Sequence, residues 1–496
     1  MALLSSCTSL PESYPRNVTR AYTETEATGI GQHIEEATGL DPDLSAFLPL
    51  ADGLDAMVAR LALIDAAQKS IDVQYYLFHG DMTGSLFLQR LVMAADRGVR
   101  VRLLVDDLSA ASNDKTIAVA NSHPNIKIRL FNPVVSRGFL RPLRMVTDFS
   151  RINRRMHNKS FIVDNQIAII GGRNIGDEYY RASAVEFADL DMLQIGASVP
   201  ELSDVFDDYW NFEMSFPAEV IVSPGKVKDD DLLRLRGKLQ KNLESAEAQR
   251  YLQRLRSAPV VQELKSGGVP WFWGPATVYA DRPDKILLNP KATEDHLMSQ
   301  LLPWFDQARK ELVILTPYFV PGKEGMKFLQ TLLDRGVSVT VFTNSLASTD
   351  VSIVHAGYSR YRKELLRSGI KLVEMKPHMK ERKKSLSGSS QASLHAKTYI
   401  VDRRMLFVGS LNLDPRSIVL NTEVGVVYHS QELVQSLMSS ARESSDHYYW
   451  VLGLGDRGIE WRDDEGEIQS RVDPETSWLL RLGISLMSFL PIESQL

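Results

Sequence analysis

The sequence predicts an α/β protein built from two copies of one unit. The pattern H-x-K-x-x-x-x-D occurs at residues 157–164 and again, 238 positions later, at residues 395–402. Six residues after each copy comes a segment of two small residues, a variable residue and an asparagine, at 171–174 and 409–412. In both halves strand-like runs alternate with helical ones, which is typical of α/β layers. The shared offset predicts two structural copies with few insertions between them.

The elements of the first half recur in the same order in the second. A strand-like run at 71–76 leads into a helix with periodic apolar residues that ends before Gly98, and another strand-like run follows. The second half repeats this order with a run at 312–319 and a helix that ends before Gly336. A glycine directly after a helix predicts a left-handed C-terminal cap, because glycine has no side chain to oppose a positive φ.

This order divides the chain into five segments. Proline and acidic residues open a leucine-rich helical stretch between the two copies, which we interpret as a connection. We expect a flexible leader at 1–44, a first lobe at 45–215, a helical connection at 216–262, a second lobe at 263–452 and a C-terminal tail at 453–496.

The repeated pattern suits chemistry on a phosphoryl group. Alternate side chains of a strand share a face, so each histidine points the same way as the lysine two residues later. Each half therefore supplies a histidine, a lysine, a small residue and an amide donor: His157, Lys159, Gly172 and Asn174, then His395, Lys397, Ser410 and Asn412. Two such sets facing each other would position and stabilise a phosphoryl group. Because the lysines supply positive charge, we expect no metal ion or other cofactor.

Each histidine needs a carboxylate on one ring nitrogen, which fixes the tautomer and raises the basicity of the ring. The acids that follow the motifs are Asp189 and Asp191 in the first half and Glu423 in the second. Asp191 is either a helper on the strand or a structural hydrogen-bonding group. Asp164 and Asp402 complete the motifs and stay in the candidate catalytic set, although bonding to backbone or to basic neighbours suits them better than moving protons.

Charge is distributed locally. The net charge is −5 and the pI is near 6.1, so no global basic field predicts a nucleic-acid partner. Basic residues instead concentrate in two runs that lead into the motifs, at 137–159 and 376–397. We expect both runs to draw anionic lipid head groups toward the site, with a solvated charged face as the alternative for the second run.

The paired motifs resemble those of the phospholipase D superfamily, which is defined by two such H-x-K-x-x-x-x-D sequences. Four flanking segments are similar to its bacterial cardiolipin synthase C branch: residues 153–160, 171–177, 354–358 and 414–417. The resemblance covers residues 45 to 496. It implies two α/β/α sandwich lobes related by pseudo-twofold symmetry, with one active site at their interface.

The resemblance also implies a reaction. His157 would attack phosphorus to form a phosphohistidine, and His395 would protonate the leaving alcohol and then deprotonate the acceptor. In this branch the donor would be phosphatidylethanolamine and the acceptor phosphatidylglycerol, which together give cardiolipin. Phospholipid hydrolysis or exchange of the head group for another alcohol is the main alternative. A phosphodiesterase acting on nucleic acid is a weaker one, because no aromatic residues interleave a basic strip.

Further site residues follow from the same resemblance. The superfamily's D-x-D-M arrangement selects Asp189 over Asp191 as the acid that orients a histidine, and Glu423 takes the matching place. The branch-like segment at 354–358 adds His355 and Tyr358 as candidates to line a head-group pocket, with packing as the alternative for Tyr358.

Segments near the two ends of the chain have features of membrane attachment. The apolar run at 478–490 is shorter than the roughly 20 residues that span a bilayer, so it either lies in the interface, with Trp478 and Phe489 as anchors, or docks on its own domain. Cys7 follows Leu-Ser-Ser, which resembles a lipoprotein signal box, yet only six residues precede it. Either the natural N-terminus lies upstream or the match is accidental.

We therefore expect peripheral or lipid-anchored association with the bacterial cell envelope. The expected partners are phospholipids and the membrane surface, not nucleic acid, and an accessory protein is an open possibility.

Overall fold

The computed structural model describes residues 10–11, 13–38, 44–110, 113–134, 137, 141, 147–222, 227–261, 271–377, 392–445 and 448–489. Cys7 with its signal-like box lies outside these residues, as do several members of the basic runs: Arg144, Lys380, Arg382, Lys383 and Lys384.

Strands and helices alternate through the first half, as the sequence predicts. Its strands are β1 (Ser45–Leu50), β2 (Ser70–Tyr75), β3 (Arg100–Asp106), β4 (Ile126–Phe131), β5 (Ser160–Val163), β6 (Ile167–Gly171), β7 (Glu186–Ala188), β8 (Asp191–Gly196) and β9 (Ser215–Pro217). Its helices are Gly29–Thr38, Gly53–Ala66, Met82–Asp96, Asp107–Ala110, Asp114–Asn121, Phe149–Ile152, Ser198–Asn211 and Ala218–Ile221, with a 3₁₀ turn at Asp177–Tyr179.

The second half follows two connecting helices, Asp231–Leu243 and Ala246–Arg256. Its strands are β10 (Phe272–Gly274), β11 (Ala276–Ala280), β12 (Glu311–Leu315), β13 (Ser338–Asn344), β14 (Lys371–Met375), β15 (Ala392–Leu394), β16 (Thr398–Val401), β17 (Met405–Gly409), β18 (Val424–His429), β19 (Tyr449–Gly455), β20 (Gly458–Arg462) and β21 (Ile468–Ser470). Its helices are Leu297–Phe305, Gly322–Asp334, Ser352–Ser359, Arg362–Arg367, Gln431–Ser445 and Trp478–Met487, with a 3₁₀ turn at Pro283–Ile286 and a π-helical turn at Arg416–Leu420.

The two large sheets repeat one strand order. The first runs β10-β1-β8-β6-β5-β2-β3-β4-β9 and the second β11-β18-β17-β16-β12-β13-β14-β19-β20-β21. When β10 is set aside, the eight remaining strands of the first sheet correspond one to one with the first eight of the second. The predicted α/β duplication is thus confirmed at the level of topology. In each sheet the central neighbours are parallel: β2 with β3 and β3 with β4 in the first, β12 with β13 and β13 with β14 in the second.

Local sequence signals explain where the central helices start and stop. Asp81 caps the helix Met82–Asp96 by accepting a hydrogen bond from the Gly84 backbone N–H. Gly98 and Gly336 follow their helices with φ of +96° and +82°, which confirms the predicted left-handed caps. Each cap turns the chain directly into the next buried parallel strand.

The two sheets share one hydrophobic core across their interface. The main buried cluster includes β6 and β8 residues of the first half and Val408, Val426 and Tyr428 of the second. The segment at 272–280 couples the sheets directly, because β10 pairs with β1 while β11 pairs with β18. Strand β10 therefore joins the first sheet although its sequence lies in the segment expected to form the second lobe.

A short two-stranded parallel ribbon also crosses between the halves. In it β7 pairs with β15, and Ala188 lies opposite Leu394. The next residues along the two strands are Asp189 and His395, so the ribbon brings an acid of one half to a histidine of the other.

Candidate active site

The first histidine is held by the second half of the chain. The backbone N–H of His157 donates to the carbonyl of Thr422 at 2.9 Å, just before β18. Its Nδ1 lies 2.9 and 3.1 Å from the two carboxylate oxygens of Glu423. Nδ1 therefore carries the ring proton, and Nε2 keeps the lone pair that a nucleophile needs.

The second histidine is held by the first half in the same way. The backbone N–H of His395 donates to the carbonyl of Ala188 at 2.8 Å. Its Nδ1 lies 2.7 Å from the Asp189 carboxylate. Each histidine thus takes its acid from the opposite half. The sequence indicated both acids but not this crossed pairing, and the pairing makes one site from two lobes.

Both lysines are buried beside their histidines, each with a residue exposure of 1%. The Lys159 ammonium donates to the His157 carbonyl and lies 5.6 Å from the centre of the Tyr76 ring. The Lys397 ammonium donates to the His395 carbonyl and lies 2.9 and 3.2 Å from the two ring nitrogens of His395. Two buried cations beside two imidazoles form a receptor for an anionic phosphoryl group.

The pKa values of the two orienting acids are shifted in opposite directions. Burial raises the pKa of Glu423 to about 7, against the opposing pull of Lys159. Burial would also raise the pKa of Asp189, but the charge and hydrogen bond of His395 and the charge of Lys397 lower it to about 2. Asp189 is therefore fully ionised at neutral pH, whereas Glu423 is close to gaining a proton.

Burial lowers the pKa of both histidines and of both lysines. Burial, with Lys159, Lys397 and His395, lowers the pKa of His157 well below its usual range. Burial and Lys397 lower the pKa of His395, while the Asp189 carboxylate opposes that shift. Burial lowers the pKa of Lys159 strongly and that of Lys397 to about 8. A bound phosphodiester anion favours the charged lysines, since an adjacent opposite charge raises the pKa of a cation.

The small residues of the two turns set the carboxylates in place. A Cβ on Gly172 would lie 2.2 Å from Asp189 Oδ1, so glycine leaves the space that this carboxylate fills. At the matching position Ser410 donates its hydroxyl proton to Glu423. Neither residue was assigned this role from sequence, where both were expected to bind substrate.

The two asparagines are buried and already partly engaged. Asn174 accepts from the Leu77 N–H at 3.0 Å and donates to the Tyr179 hydroxyl at 2.9 Å. Asn412 donates to the Ser417 hydroxyl at 3.2 Å, while its buried Oδ1 has no partner in the described part of the chain. Each amide nitrogen retains a second hydrogen that could be offered to a phosphoryl oxygen.

Aromatic rings enclose both imidazoles, and sequence reasoning missed all of them. Tyr76 lies edge-on to His157 with ring centres 5.1 Å apart. Tyr179 lies edge-on to His395 at 5.2 Å, and Phe187 stacks on His395 at 5.2 Å with 16° between the planes. Nothing in the sequence around these aromatic residues marks them as part of a site. The one available signal is that Phe187 lies two residues before Asp189.

The aspartates that end the motifs lie at the far ends of their strands. Asp164, at φ +51°, accepts from the backbone N–H groups of residues 68–70. Asp402, at φ +52°, accepts from those of residues 309–311. Both therefore tie the hairpin after the motif to the start of β2 or β12. The structure does not bring either aspartate to a histidine, so their place in the candidate catalytic set is corrected to a structural one.

Asp191 belongs to a buried ion cluster. Its carboxylate lies 2.8 Å from Arg60 and 3.4 Å from Arg173. Arg173 also donates to the Asp189 carbonyl at 2.8 Å. Through Arg173, Asp191 thus helps to hold the backbone of Asp189 in place.

His355 and Tyr358 are not brought to the histidines. Both are buried on the helix Ser352–Ser359, and His355 Nε2 lies 2.8 Å from the Arg362 guanidinium. The Arg362 guanidinium packs over the Tyr358 ring at 5.0 Å and pairs with Glu374 and Asp473. These contacts correct the expected head-group role to one of packing around a buried arginine.

The described arginines of the first basic run are engaged internally. Arg137 and Arg141 pair with Asp107, and Arg155 lies 3.3 Å from Asp106. Arg154 donates to the carbonyls of Ile286 and Leu288. Arg137, Arg141 and Arg155 therefore contribute less to attracting lipid head groups than their number in the sequence suggests, because paired cations project little field; attraction of head groups by the run as a whole stays a prediction.

One group in the described part of the chain has the geometry to hold a metal ion. Ligand atoms of His79, Asp81 and Glu178 all lie within 4.8 Å of one another. Asp81 is also the cap of the helix Met82–Asp96. None of the three contacts a motif histidine, whose positive surroundings come from the lysines.

The fold and the crossed histidine pairs define a phosphoryl-transfer site of the phospholipase D type. A family model described as "Cardiolipin synthase, PLD-like domain" matches residues 61–188 and 301–443. Cardiolipin synthase C of Escherichia coli K12 is 40% identical over 463 residues, which is 91% of this chain and 96% of that protein. An uncharacterised protein of Helicobacter pylori 26695 is 34% identical over 92% of this chain and 90% of its own. The chain belongs to the cardiolipin synthase family with phospholipase D-like domains.

A solved structure shares the fold over nearly the whole chain. The phosphatidylserine synthase of Haemophilus influenzae Rd KW20 superposes with a TM-score of 0.59 at 15% identity, over 94% of this chain and 99% of that one. At this identity the likeness shows the two-lobed architecture alone.

Proposed function

We propose that this enzyme is a phosphatidyltransferase that makes cardiolipin, moving a phosphatidyl group from phosphatidylethanolamine to phosphatidylglycerol through a phosphohistidine. The observation that carries this proposal is the crossed arrangement, in which two buried histidines each hold a carboxylate of the other lobe and lie beside a buried lysine. Two imidazoles on opposite sides of one phosphorus suit a two-step transfer with a covalent intermediate.

In the first step Nε2 of His157 attacks the donor phosphorus and forms a P–N bond. The bond from phosphorus to the head-group oxygen breaks, and His395 gives that oxygen its proton, so the head group leaves as an alcohol. Lys159 and Lys397 stabilise the charge on the remaining phosphoryl oxygens, an electrostatic contribution that grows toward the transition state.

In the second step a phosphatidylglycerol hydroxyl attacks the same phosphorus. His395 takes the hydroxyl proton, a P–O bond forms, and the P–N bond breaks to free His157. Cardiolipin leaves, and His395 again carries the proton for the next donor.

The unequal acids support this assignment of roles. His395 faces the ionised Asp189, which favours an imidazole that gains and loses a proton. His157 faces Glu423, whose pKa near 7 gives less charge to stabilise an imidazolium, and its own pKa is held far below the usual range. A histidine that stays neutral is the better nucleophile.

The C-terminal helix supports work at a membrane surface. Ile484 is buried beside Leu346 and Ala356, while the opposite face exposes apolar side chains: Trp478, Leu479, Leu482, Leu486 and Phe489. Such a face suits the interfacial region of a bilayer. Within the described ranges, none of the helices combines the length and the apolar run needed to cross a bilayer. We infer peripheral attachment to a membrane of the bacterial envelope.

The test uses purified protein on vesicles that contain labelled phosphatidylglycerol and phosphatidylethanolamine. We expect labelled cardiolipin, release of ethanolamine, and acid-labile phosphate on His157 after rapid quenching. His157→Ala should abolish the intermediate. Release of phosphatidic acid without cardiolipin, even with abundant phosphatidylglycerol, would replace this proposal with hydrolysis. Label on His395 would reverse the two roles.

A further inference from the structure

One carboxylate on the His395 side of the site has no part in the mechanism so far. Asp350 follows β13 and is exposed, and the Tyr318 hydroxyl donates to its two carboxylate oxygens at 2.9 and 2.8 Å. In the described part of the chain, no lysine or arginine lies within ion-pair distance of Asp350. The hydroxyl fixes the direction of the carboxylate, and among the described residues no cation forms an ion pair with it.

The segment that leads to Asp350 lies beside His395, because Asn344, the last residue of β13, donates to the Leu394 carbonyl at 2.9 Å and accepts from the Leu394 N–H at 2.8 Å. Burial raises the pKa of Tyr179 and of Tyr318, and the negative charge of Asp350 adds to both shifts. The same charge opposes the burial that lowers the pKa of His395 and of Lys397. Asp350 is therefore within electrostatic reach of the acid–base histidine, the lysine beside it and two tyrosines.

Aromatic rings complete this surrounding. Tyr179 and Phe187 both contact the His395 ring, and their own centres are 5.0 Å apart. An organic ammonium is stabilised by a carboxylate and by the faces of aromatic rings. On the His395 side the group that would bind an ammonium is the carboxylate held by Tyr318, while the rings of Tyr179 and Phe187 pack against the imidazole and form the apolar surroundings of the site.

The proposed mechanism places a particular part of the substrate here. In phosphoryl transfer the attacking and leaving atoms lie roughly in line. If His157 attacks, the leaving oxygen and the head group attached to it lie on the side of His395. The head group of the donor is thus the substrate fragment nearest to Asp350.

We propose that Asp350, positioned by Tyr318, is a specificity-determining residue that binds the ammonium of the donor phospholipid's head group. It favours a donor with a cationic head group over one with an uncharged head group, such as phosphatidylglycerol used as its own donor. This inference rests on the proposed function and names the group that selects its donor.

The experiment compares two donors on vesicles of defined composition. The full chain is assayed with phosphatidylethanolamine as labelled donor and unlabelled phosphatidylglycerol as acceptor, then with labelled phosphatidylglycerol alone. Asp350→Asn should lower the ratio of kcat/KM for phosphatidylethanolamine to that for phosphatidylglycerol about tenfold, as for the loss of one charged contact. The fall should come mainly from KM. Tyr318→Phe should lower the ratio less, because the carboxylate remains.

The matched control is Glu324→Gln, which removes an exposed carboxylate from the helix Gly322–Asp334. It should leave the ratio unchanged. A donor series with successive N-methyl groups, all positively charged, should keep the preference over phosphatidylglycerol in the native chain. Circular dichroism of each variant checks that it is folded.

Two results would overturn the proposal that Asp350 binds the head group. An unchanged ratio in Asp350→Asn would leave Asp350 with a structural role only. Equal losses in kcat for both donors would show that Asp350 acts on the acidity of His395 and not on the choice of donor. Failure of the proposed function looks different. If no form of the protein makes cardiolipin, the same ratio is measured from the ethanolamine and the glycerol that hydrolysis releases, and its fall or constancy still decides the role of Asp350.

Discussion

At the scale of single residues, the titration of Lys397 limits how well the free enzyme binds phosphate at high pH. Burial lowers its pKa to about 8, so it is charged below that pH and loses its proton as the pH rises through it. Its charge is needed to bind the phosphodiester. The free enzyme should therefore lose phosphate-binding power at mildly alkaline pH, well before an exposed lysine would.

We expect kcat/KM, which reports ionisations of the free enzyme, to fall above about pH 8. Lys397→Arg should move this alkaline limb to higher pH even if it lowers the maximum rate, because arginine stays protonated. The measurement is a pH profile of kcat/KM on vesicles of constant composition. An alkaline limb that stays at the same pH in the arginine variant would assign it to another group.

Gly172 is a second residue at which a single substitution should strongly affect activity. Its Cα faces the Asp189 carboxylate so closely that an added methyl would displace Oδ1. Gly172→Ala should slow transfer by roughly a hundredfold to ten-thousandfold, the range for losing a positioned acid–base partner. Asp189→Asn should have an effect of similar size. Activity is measured as initial rates of cardiolipin formation.

Gly237→Ala is the matched control for this change. Gly237 lies in the helix Asp231–Leu243, and a Cβ there meets nothing within 4 Å. This variant should keep full activity and gain up to about 1 kcal/mol in stability, since alanine favours the helix. Near-normal turnover of Gly172→Ala would show that Asp189 does not need its observed position.

At the scale of elements, the helix Trp478–Met487 has two faces with different tasks. Ile484 docks it onto the second half, and no part of the described chain covers the exposed leucines on the other face. Replacing exposed residues therefore separates membrane contact from folding better than deleting the segment would.

Leu479→Glu combined with Leu486→Glu should weaken binding to vesicles about tenfold or more, because two apolar side chains can no longer leave water. These leucines are 61% and 62% exposed, so the fold should not change. Co-sedimentation with vesicles measures binding. Cleavage of a short-chain soluble phosphodiester should be spared.

Leu233→Glu, at a leucine 68% exposed on another helix, is the control and should bind as the native chain does. Equal binding by the double variant would leave the helix as packing only.

The limits of prediction also show at the element scale. The glycine caps and the strands beside the motifs depend on neighbours in sequence, and these were predicted. The crossed pairs were not, because spacing places Asp189 and Glu423 downstream of the motifs without telling which lobe their side chains enter. For Asp189 that direction is set by the β7–β15 ribbon, whose three-residue strands give no periodic signal, and for Glu423 by the single bridge between Met156 and Thr422. Asp350 lies in a loop, and the rings around His395 come from a 3₁₀ turn and from β7, elements too short to give a pattern.

At the scale of the whole molecule, the halves are joined by buried contacts that local unfolding of one half would break. The Tyr428 hydroxyl of β18 donates to Gln194 of β8 at 2.5 Å, and its ring packs edge-on against Phe47 of β1. We therefore expect both lobes to unfold together.

Calorimetry of the native chain should show one main transition. Tyr428→Phe should lower the stability by about 1 kcal/mol, the usual loss for one hydrogen bond, and shift that transition as a whole. Tyr279→Phe is the control, because no hydrogen bond to the Tyr279 hydroxyl is found within the described ranges and its ring is only partly buried. Two separated transitions, with only one moved by Tyr428→Phe, would show that the lobes are independent.

The crossed pairing of histidines and acids bears on how this two-lobed chain evolved. A chain with a single copy of this unit could not complete a half-site by itself, because the carboxylate that its histidine needs comes from the opposing copy. Before gene duplication, such a chain would have had to associate with its twin to be active. Fusion then removed the requirement that both copies stay identical. Ser410 now stands where the other copy has Gly172, and one acid is fully ionised while its counterpart is not. Joining the twins let each inherited histidine specialise in a different task.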